Sequence, residues 1–246
     1  MDHPIPPAQG HGPLAEVFPN VYFVTGSMGF GAMRFSRNMV VLREDERLII
    51  VNSLRLDDAG LAELDTLGKV TDVVRLAGGH GSDDRFYKQR YGATVWAMRG
   101  QTYFTGTDPD KGSEYFTPDG YLDEESDLPV RGASLFLFET APSEGVLRIE
   151  AGGGTLIAGD SLQHWHSTAG PHFNLLAKVG MRILGFIKPH QLGPGWVKAC
   201  RPSGTKLRSL LDLAFENVLP AHGDVVRGGA REAYRPAIEA WASKLD

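Results

Sequence analysis

Cysteine is almost absent from this chain. Cys200 stands alone among 246 residues, which excludes an internal disulfide and any cysteine-rich zinc site. Its plain reading is a small, partly buried residue rather than a nucleophile. Long apolar runs are missing too. No stretch approaches the ~20 residues of a membrane span, and Met1-Asp2-His3-Pro4-Ile5-Pro6-Pro7 lacks the basic and apolar regions of a signal peptide. The expectation is a soluble, cytoplasmic protein without a membrane partner. Carboxylates are absent from 161–211, which nevertheless carries Lys178, Arg182, Lys188, Lys198, Arg201, Lys206 and Arg208. Cations are nearly absent from 107–127, where Asp108, Asp110, Glu114, Asp119, Asp123, Glu124, Glu125 and Asp127 face Lys111 alone. Two solvated surfaces, paired with each other, explain this asymmetry most simply. A basic lid attracting an anionic small-molecule substrate is the sharper alternative. The net charge of −5 and the lack of aromatics interleaved with the basic residues argue against nucleic acid.

What is present is ordinary globular composition: 42% hydrophobic and 22% charged. Residues 1–13, rich in Pro and Gly, read as a loose arm, and 14–246 as one domain. Val21–Thr25, Asn38–Leu42 and Leu48–Val51 read as strands of a meander, with Gly26-Ser27-Met28-Gly29-Phe30-Gly31 as a glycine-rich loop. No helix start follows that loop, so it is not a dinucleotide site. Gly152-Gly153-Gly154-Thr155 lacks the Lys of a phosphate loop and reads as a hairpin turn. No nucleotide cofactor is expected. A helix opens at Asp57 or Asp58, with Leu61, Leu64 and Leu67 on one face and Gly68 as its stop. Asp72–Arg75 is a strand, Asp84–Tyr91 a short helix ending at Gly92, and Thr94–Trp96 a strand. Leu135–Phe138, Val146–Ile149 and Leu156–Ala158 form a second meander. Helices follow around 173–186, from Ser203 or Thr205, and over the final residues with Tyr234, Ile238, Trp241 and Leu245 on one face. The order β-meander, α/β unit, β-meander, α/β unit predicts an α/β (α+β) fold. Its form is a four-layer αββα sandwich of two mixed sheets.

Three loops leave the ends of buried strands carrying His or Asp. They are Gly78-Gly79-His80-Gly81-Ser82-Asp83-Asp84, Gly159-Asp160 and Ala221-His222-Gly223. Their order and spacing resemble the metallo-β-lactamase superfamily from about residue 15 to 244. That family's first motif is His-x-His-x-Asp-His, followed by a later His, a Gly-Asp and a last His. In the preferred register Gly78 replaces the first histidine, His80 keeps the second, Ser82 replaces the aspartate and Asp83 the final histidine. A shifted register would place His80 first and Asp84 at the aspartate. The later histidine should fall within 139–145, where only Glu139 or Glu144 could substitute.

The resemblance implies a metal site built from His80, Asp83, Asp160 and His222. It would be mononuclear and would hold one divalent ion: zinc, iron or manganese. Such an ion would activate water against an ester, lactone, amide or phosphoester. Asp84 is the candidate base, and His164 and His166 are candidate substrate contacts. Each residue also has an ordinary reading: Asp83 as a helix cap, Asp84 as the negative first turn of a helix, and the histidines as loop residues. The alternative function is an inactive fold relative that binds a small molecule or a protein. The apolar run 175–187, with Lys178 and Arg182 one turn apart, reads as a core or homodimer-contact helix. Interfacial docking with Trp196 nearby is the lesser alternative.

Overall fold

Alternation along each strand sets the layers. In the computed structural model, which describes residues 5, 7–101 and 117–245 (Phe30 by its backbone alone), β2 (Val21–Phe30), β3 (Met33–Glu44) and β4 (Arg47–Val51) run antiparallel. Tyr22, Val24, Met39, Val41, Leu48 and Ile50 face outward onto α1 (Asp58–Leu67) and α2 (Asp84–Tyr91), packing with Leu61, Leu64 and Tyr87. Their neighbours Val21, Phe23, Val40, Leu42, Ile49 and Val51 face inward. Because both faces are covered, the strands read as continuous apolar runs rather than as alternating ones. β1 (Ala15–Phe18) pairs antiparallel with β2 at one edge. At the other, β5 (Lys69–Arg75), β6 (Thr94–Met98) and β7 (Gly120–Leu122) continue parallel to β4, giving a mixed seven-stranded sheet. The crossovers through α1 and α2 are what parallel neighbours require.

The inward residues meet Leu135, Leu147, Ile149, Ile157 and Leu219 of a second sheet. Its strands lie in the order β13 (Asn217–Leu219), β10 (Thr155–Ala158), β9 (Gly145–Ile149) and β8 (Ser134–Leu137), with β13 parallel to β10. A three-stranded piece, β12 (Gln191–Leu192), β11 (Leu162–His164) and β14 (His222–Gly223), adjoins it. Outside lie α4 (Pro194–Cys200), α5 (Gly204–Ser209) and α6 (Ala230–Leu245), which bury Trp196, Leu207, Tyr234 and Ile238. Helix, sheet, sheet, helix is the expected αββα sandwich. α3 (Leu175–Ile183) stands apart with a small cluster of its own: Trp165, Phe173, Ala177 and Met181.

Local expectations meet the structure in detail. Asp57 caps α1 by accepting from the Gly60 N–H at 2.9 Å, and Gly92 ends α2 at φ 68°. A short 3-10 turn, Ala151–Gly153, joins β9 to β10 as a hairpin. The loop expected over Gly26–Gly31 is instead strand as far as Phe30. A Cβ on Gly26 would collide with the Leu54 side chain, so this glycine admits a neighbour rather than turning the chain. Of the N-terminal arm, residues 1–4 and 6 lie outside the described residues. From Gly10 onward it is tied to β2: Ser27 N–H donates to the Gly10 carbonyl at 2.9 Å, and Gly12 N–H to that of Thr25 at 2.8 Å. Asp108, Asp110, Lys111 and Glu114 also lie outside the described residues. Elsewhere the acidic and basic stretches do pair, Lys206 with Glu124 at 3.2 Å. Cys200 is buried, and burial with nearby Glu144 and Asp160 pushes its thiol up to about 12.

Candidate metal centre

Strand ends on both sheets deliver the three motif loops to one place. β5 runs into a 3-10 turn, Gly78–His80; β10 runs into Gly159-Asp160; β13 runs through Pro220 and Ala221 to His222. Two asparagines fix the approach. Asn52, after β4, donates to the Ala158 carbonyl at 3.0 Å and accepts from Leu76 N–H at 3.1 Å, joining the first and second loops. Asn38 of β3 donates to the carbonyls of Pro220 at 2.9 Å and Gly223 at 2.7 Å, fixing the third. Glu144 accepts from Ser161 N–H at 2.6 Å and so holds the turn carrying Asp160. Burial and the neighbouring Asp160 push the Glu144 carboxyl well above its usual range. Gly159 has no room for a side chain, since a Cβ would lie 2.6 Å from that of Ala77.

His80 Nε2 and His222 Nε2 each lie 3.1 Å from Asp160 Oδ1. One ligand atom from each residue falls within 4.8 Å of the others, and among the described residues this is the group able to hold a metal ion. Bonds of about 2.1 Å in tetrahedral array separate ligand atoms by roughly 3.4 Å, so the spacing fits one ion. Proton inventory fits as well. His222 Nδ1 lies 3.0 Å from the Ser36 carbonyl. A carbonyl only accepts, so Nδ1 carries the hydrogen, and Nε2 of a neutral ring then turns a lone pair on a carboxylate. Such an arrangement calls for a cation between them, either a proton or a metal. Burial lowers the His80 pKa, against the opposing pull of the Asp160 carboxylate. Burial also opposes ionisation of Asp160, but the charge and hydrogen bonds of the two histidines outweigh it and hold the carboxyl well below its usual range. Trp165 stacks on the His222 ring at 6.0 Å. Among the described residues His80 Nδ1 is buried without a hydrogen-bond partner, so the Nε2 contact with Asp160 and packing orient that ring.

The other expected residues fall outside this group of three. Asp83 stands at the start of α2 without capping it. Its carboxylate pairs with the Arg37 guanidinium and accepts from Arg55 N–H at 2.9 Å. Arg37 also donates to Ser82 Oγ at 2.9 Å, so one fixed cation ties two of the three replaced motif positions together. Asp84 is fully buried, accepts from the Ser53 hydroxyl at 2.6 Å and faces Arg75 at 3.8 Å. Burial, only partly offset by Arg75 and Ser53, pushes its carboxyl up to about 6. It does not line the cavity over the metal centre. Glu139 is drawn away by Lys206 at 3.1 Å. Sequence reasoning passed over Arg37, Asn38 and Asn52. Their signal was polar side chains within or just after apolar strand runs.

A cavity of about 500 Å³ opens over the centre, walled by Met28, Met33, Phe35, Trp165, Met181 and Phe186. Segment 161–211 contributes Gln163, Trp165, Met181, Phe186 and Trp196 to its wall, and none of its Lys or Arg. Residues along β11 and beyond alternate sides. Gln163 and Trp165 therefore face the cavity, while His164 and His166 turn away. His164 lies edge-on to His166 and tilted against His190, each at 4.3 Å, and His166 pairs with Asp224 at 3.1 Å.

No protein-family model matches the chain, and no curated protein does. Solved structures do. The metallo-β-lactamase DIM-1 exposed to ceftazidime superposes with a TM-score of 0.59 at 15% identity, over 95% of this chain and 98% of that one. FIM-1 from Pseudomonas aeruginosa in its mono-zinc form gives 0.58 at 13%, over 98% and 97%. A metallo-β-lactamase from Erythrobacter litoralis gives 0.56 at 10%, over 94% and 90%. At such identities the likeness concerns architecture. The chain therefore has the metallo-β-lactamase fold, with His80, Asp160 and His222 grouped as a candidate mononuclear metal site.

Proposed function

We propose that this protein is a mononuclear metal-dependent hydrolase acting on neutral, largely apolar carboxylic esters or lactones, with amides the harder substrates of the same kind. The observation that carries the reading is the convergence of two imidazole Nε2 atoms on one carboxylate oxygen, with the His222 tautomer set by Ser36. His80, Asp160 and His222 would hold zinc, iron or manganese. A bound divalent ion would lower the pKa of its water towards neutrality. Asp160, kept ionised, would neutralise the charge, and Asn38, Asn52 and Glu144 would hold the ligand loops in place. Phe35, Met181 and Trp165 would seat the apolar part of the substrate and exclude water around it. Asp83, Glu144 and Asp160 share the cavity with Arg37 and Arg55. That balance does not favour a phosphoester dianion.

Protein purified without chelator should carry close to one transition-metal ion per chain by mass spectrometry. His222→Ala should lose it while keeping its circular dichroism, and ester hydrolysis should vanish with chelator and with Asp160→Asn. Metal-free protein that stays metal-free in zinc, manganese and iron would overturn the proposal. The unpartnered Nδ1 of His80 favours a second reading. There a proton takes the cation's place, and the cavity binds a small molecule or a partner without turnover. Ligand binding that is indifferent to chelator would support it.

A further inference from the structure

Seven large apolar side chains are exposed among the described residues, and five belong to α3 and its end: Leu175, Leu176, Val179, Ile183 and Leu184. Leu175 and Ile183 leave 77% and 78% of their surface in solvent. At 3.6 residues per turn, Leu175, Val179, Ile183 and Leu176 fall within about 100° of arc. Lys178 and Arg182 adjoin that arc, and Ala177 and Met181 hold the helix down from behind. Lys178 and Arg182 have no ion pair among the described residues. Beside them a groove is lined by the hydroxyl residues Ser167 and Thr168 and by both cations. Trp196, by contrast, is buried against Phe138 and adds nothing to this surface.

We infer that α3 docks the protein on an anionic phospholipid surface. The apolar arc enters the acyl boundary, Lys178 and Arg182 meet phosphodiester headgroups, and Ser167 donates to the same oxygens. Charge decides between a bilayer and a second copy of the chain. No acid occurs in 161–211, so pairing two such faces sets cations against cations, whereas anionic lipid complements them. The net charge of −5 over the whole chain repels the remaining surface from such a bilayer and so orients the contact. Met181, on the inner side of α3, lines the site cavity with Phe186, so docking brings the cavity wall to the lipid surface. The inference does not depend on a bound metal.

The test is sedimentation of the full chain with vesicles of phosphatidylcholine alone or with added phosphatidylglycerol. Binding is expected only with phosphatidylglycerol, and it should fade at about 1 M salt, where screening shortens to ~3 Å. Lys178→Ala with Arg182→Ala should weaken partitioning roughly 30-fold, on the basis of about one kcal/mol for each basic residue near the surface. Ile183→Asp should abolish it; the site is exposed, so near-ultraviolet circular dichroism should be unchanged. Equal binding to both vesicles, or to neither, overturns the inference. So does a dimer in sedimentation velocity that Ile183→Asp dissociates, since the face would then belong to a second copy.

Discussion

Replacing Arg37 by leucine removes the counter-charge of a buried carboxylate. Arg37 and Asp83 have side chains only 7% and 4% exposed and face each other inside the fold. After Arg37→Leu, Asp83 still accepts from the Arg55 N–H but has lost its counter-charge. After Asp83→Leu, Arg37 retains the Ser82 hydroxyl, and its Nε already lacks a partner. Breaking a buried pair from either side costs roughly 3–5 kcal/mol, because the surviving charge stays desolvated. The double variant leaves no charge. It loses the bonds to Ser82 and to Arg55 N–H, about 1 kcal/mol each, or roughly 2 kcal/mol in all. It should therefore be more stable than either single variant by roughly 1–3 kcal/mol. Urea unfolding reads this directly: with a slope of about 2–3 kcal/mol/M, each single variant should shift the midpoint by roughly 1–2 M and the double by under 1 M. A double variant less stable than both singles would refute the pairing argument. Metal content separates the two roles open to Asp83: as partner of Arg37 its loss leaves stoichiometry unchanged, and as a ligand its loss empties the site.

Gly223 sits at φ 93°, and a Cβ there would strike the His164 carbonyl. Gly223→Ala should cost roughly 2–4 kcal/mol in denaturant unfolding, more than the strain of a left-handed residue alone; a neutral result would mean the β11–β14 contact is looser than described. Burial, with His190 and His166 nearby, lowers His164 from 6.5 to about 4. A histidine depressed in the folded state binds fewer protons there than in the unfolded chain. Its contribution is therefore fully present above about 6.5 and lost as pH falls towards about 4. His164→Gln should flatten the stability profile in that window, and an unchanged slope would show that other groups set it.

Much of the scaffold was legible because burial writes itself into short runs. Leu48–Val51 and Leu156–Ala158 are apolar without interruption, which marks strands covered on both faces. His80, Asp160 and His222 could be picked out because each follows such a run. The residues that aim them could not. Asn38 and Asn52 act across the gap between sheets and Glu144 between neighbouring strands of one sheet, on carbonyls and N–H groups 17 to 185 positions away, and no local period encodes such a reach. Asp83 shows the same limit: its position next to a helix start suggested a cap or a ligand, and nothing local announces the strand arginine 46 positions earlier that pairs with it. In Gly26–Gly31 composition misled, since the glycines serve close packing within a strand.

α3 rests on Trp165, Phe173, Ala177 and Met181, a cluster separate from the three that bind the sheets and outer helices together. Its outer face can therefore be rewritten without loosening the scaffold that aims His80, Asp160 and His222, whereas Ala177 and Met181 are bound to Trp165, which stacks on His222. An engineer who wanted to reshape one wall of the cavity would start from that helix, through Met181.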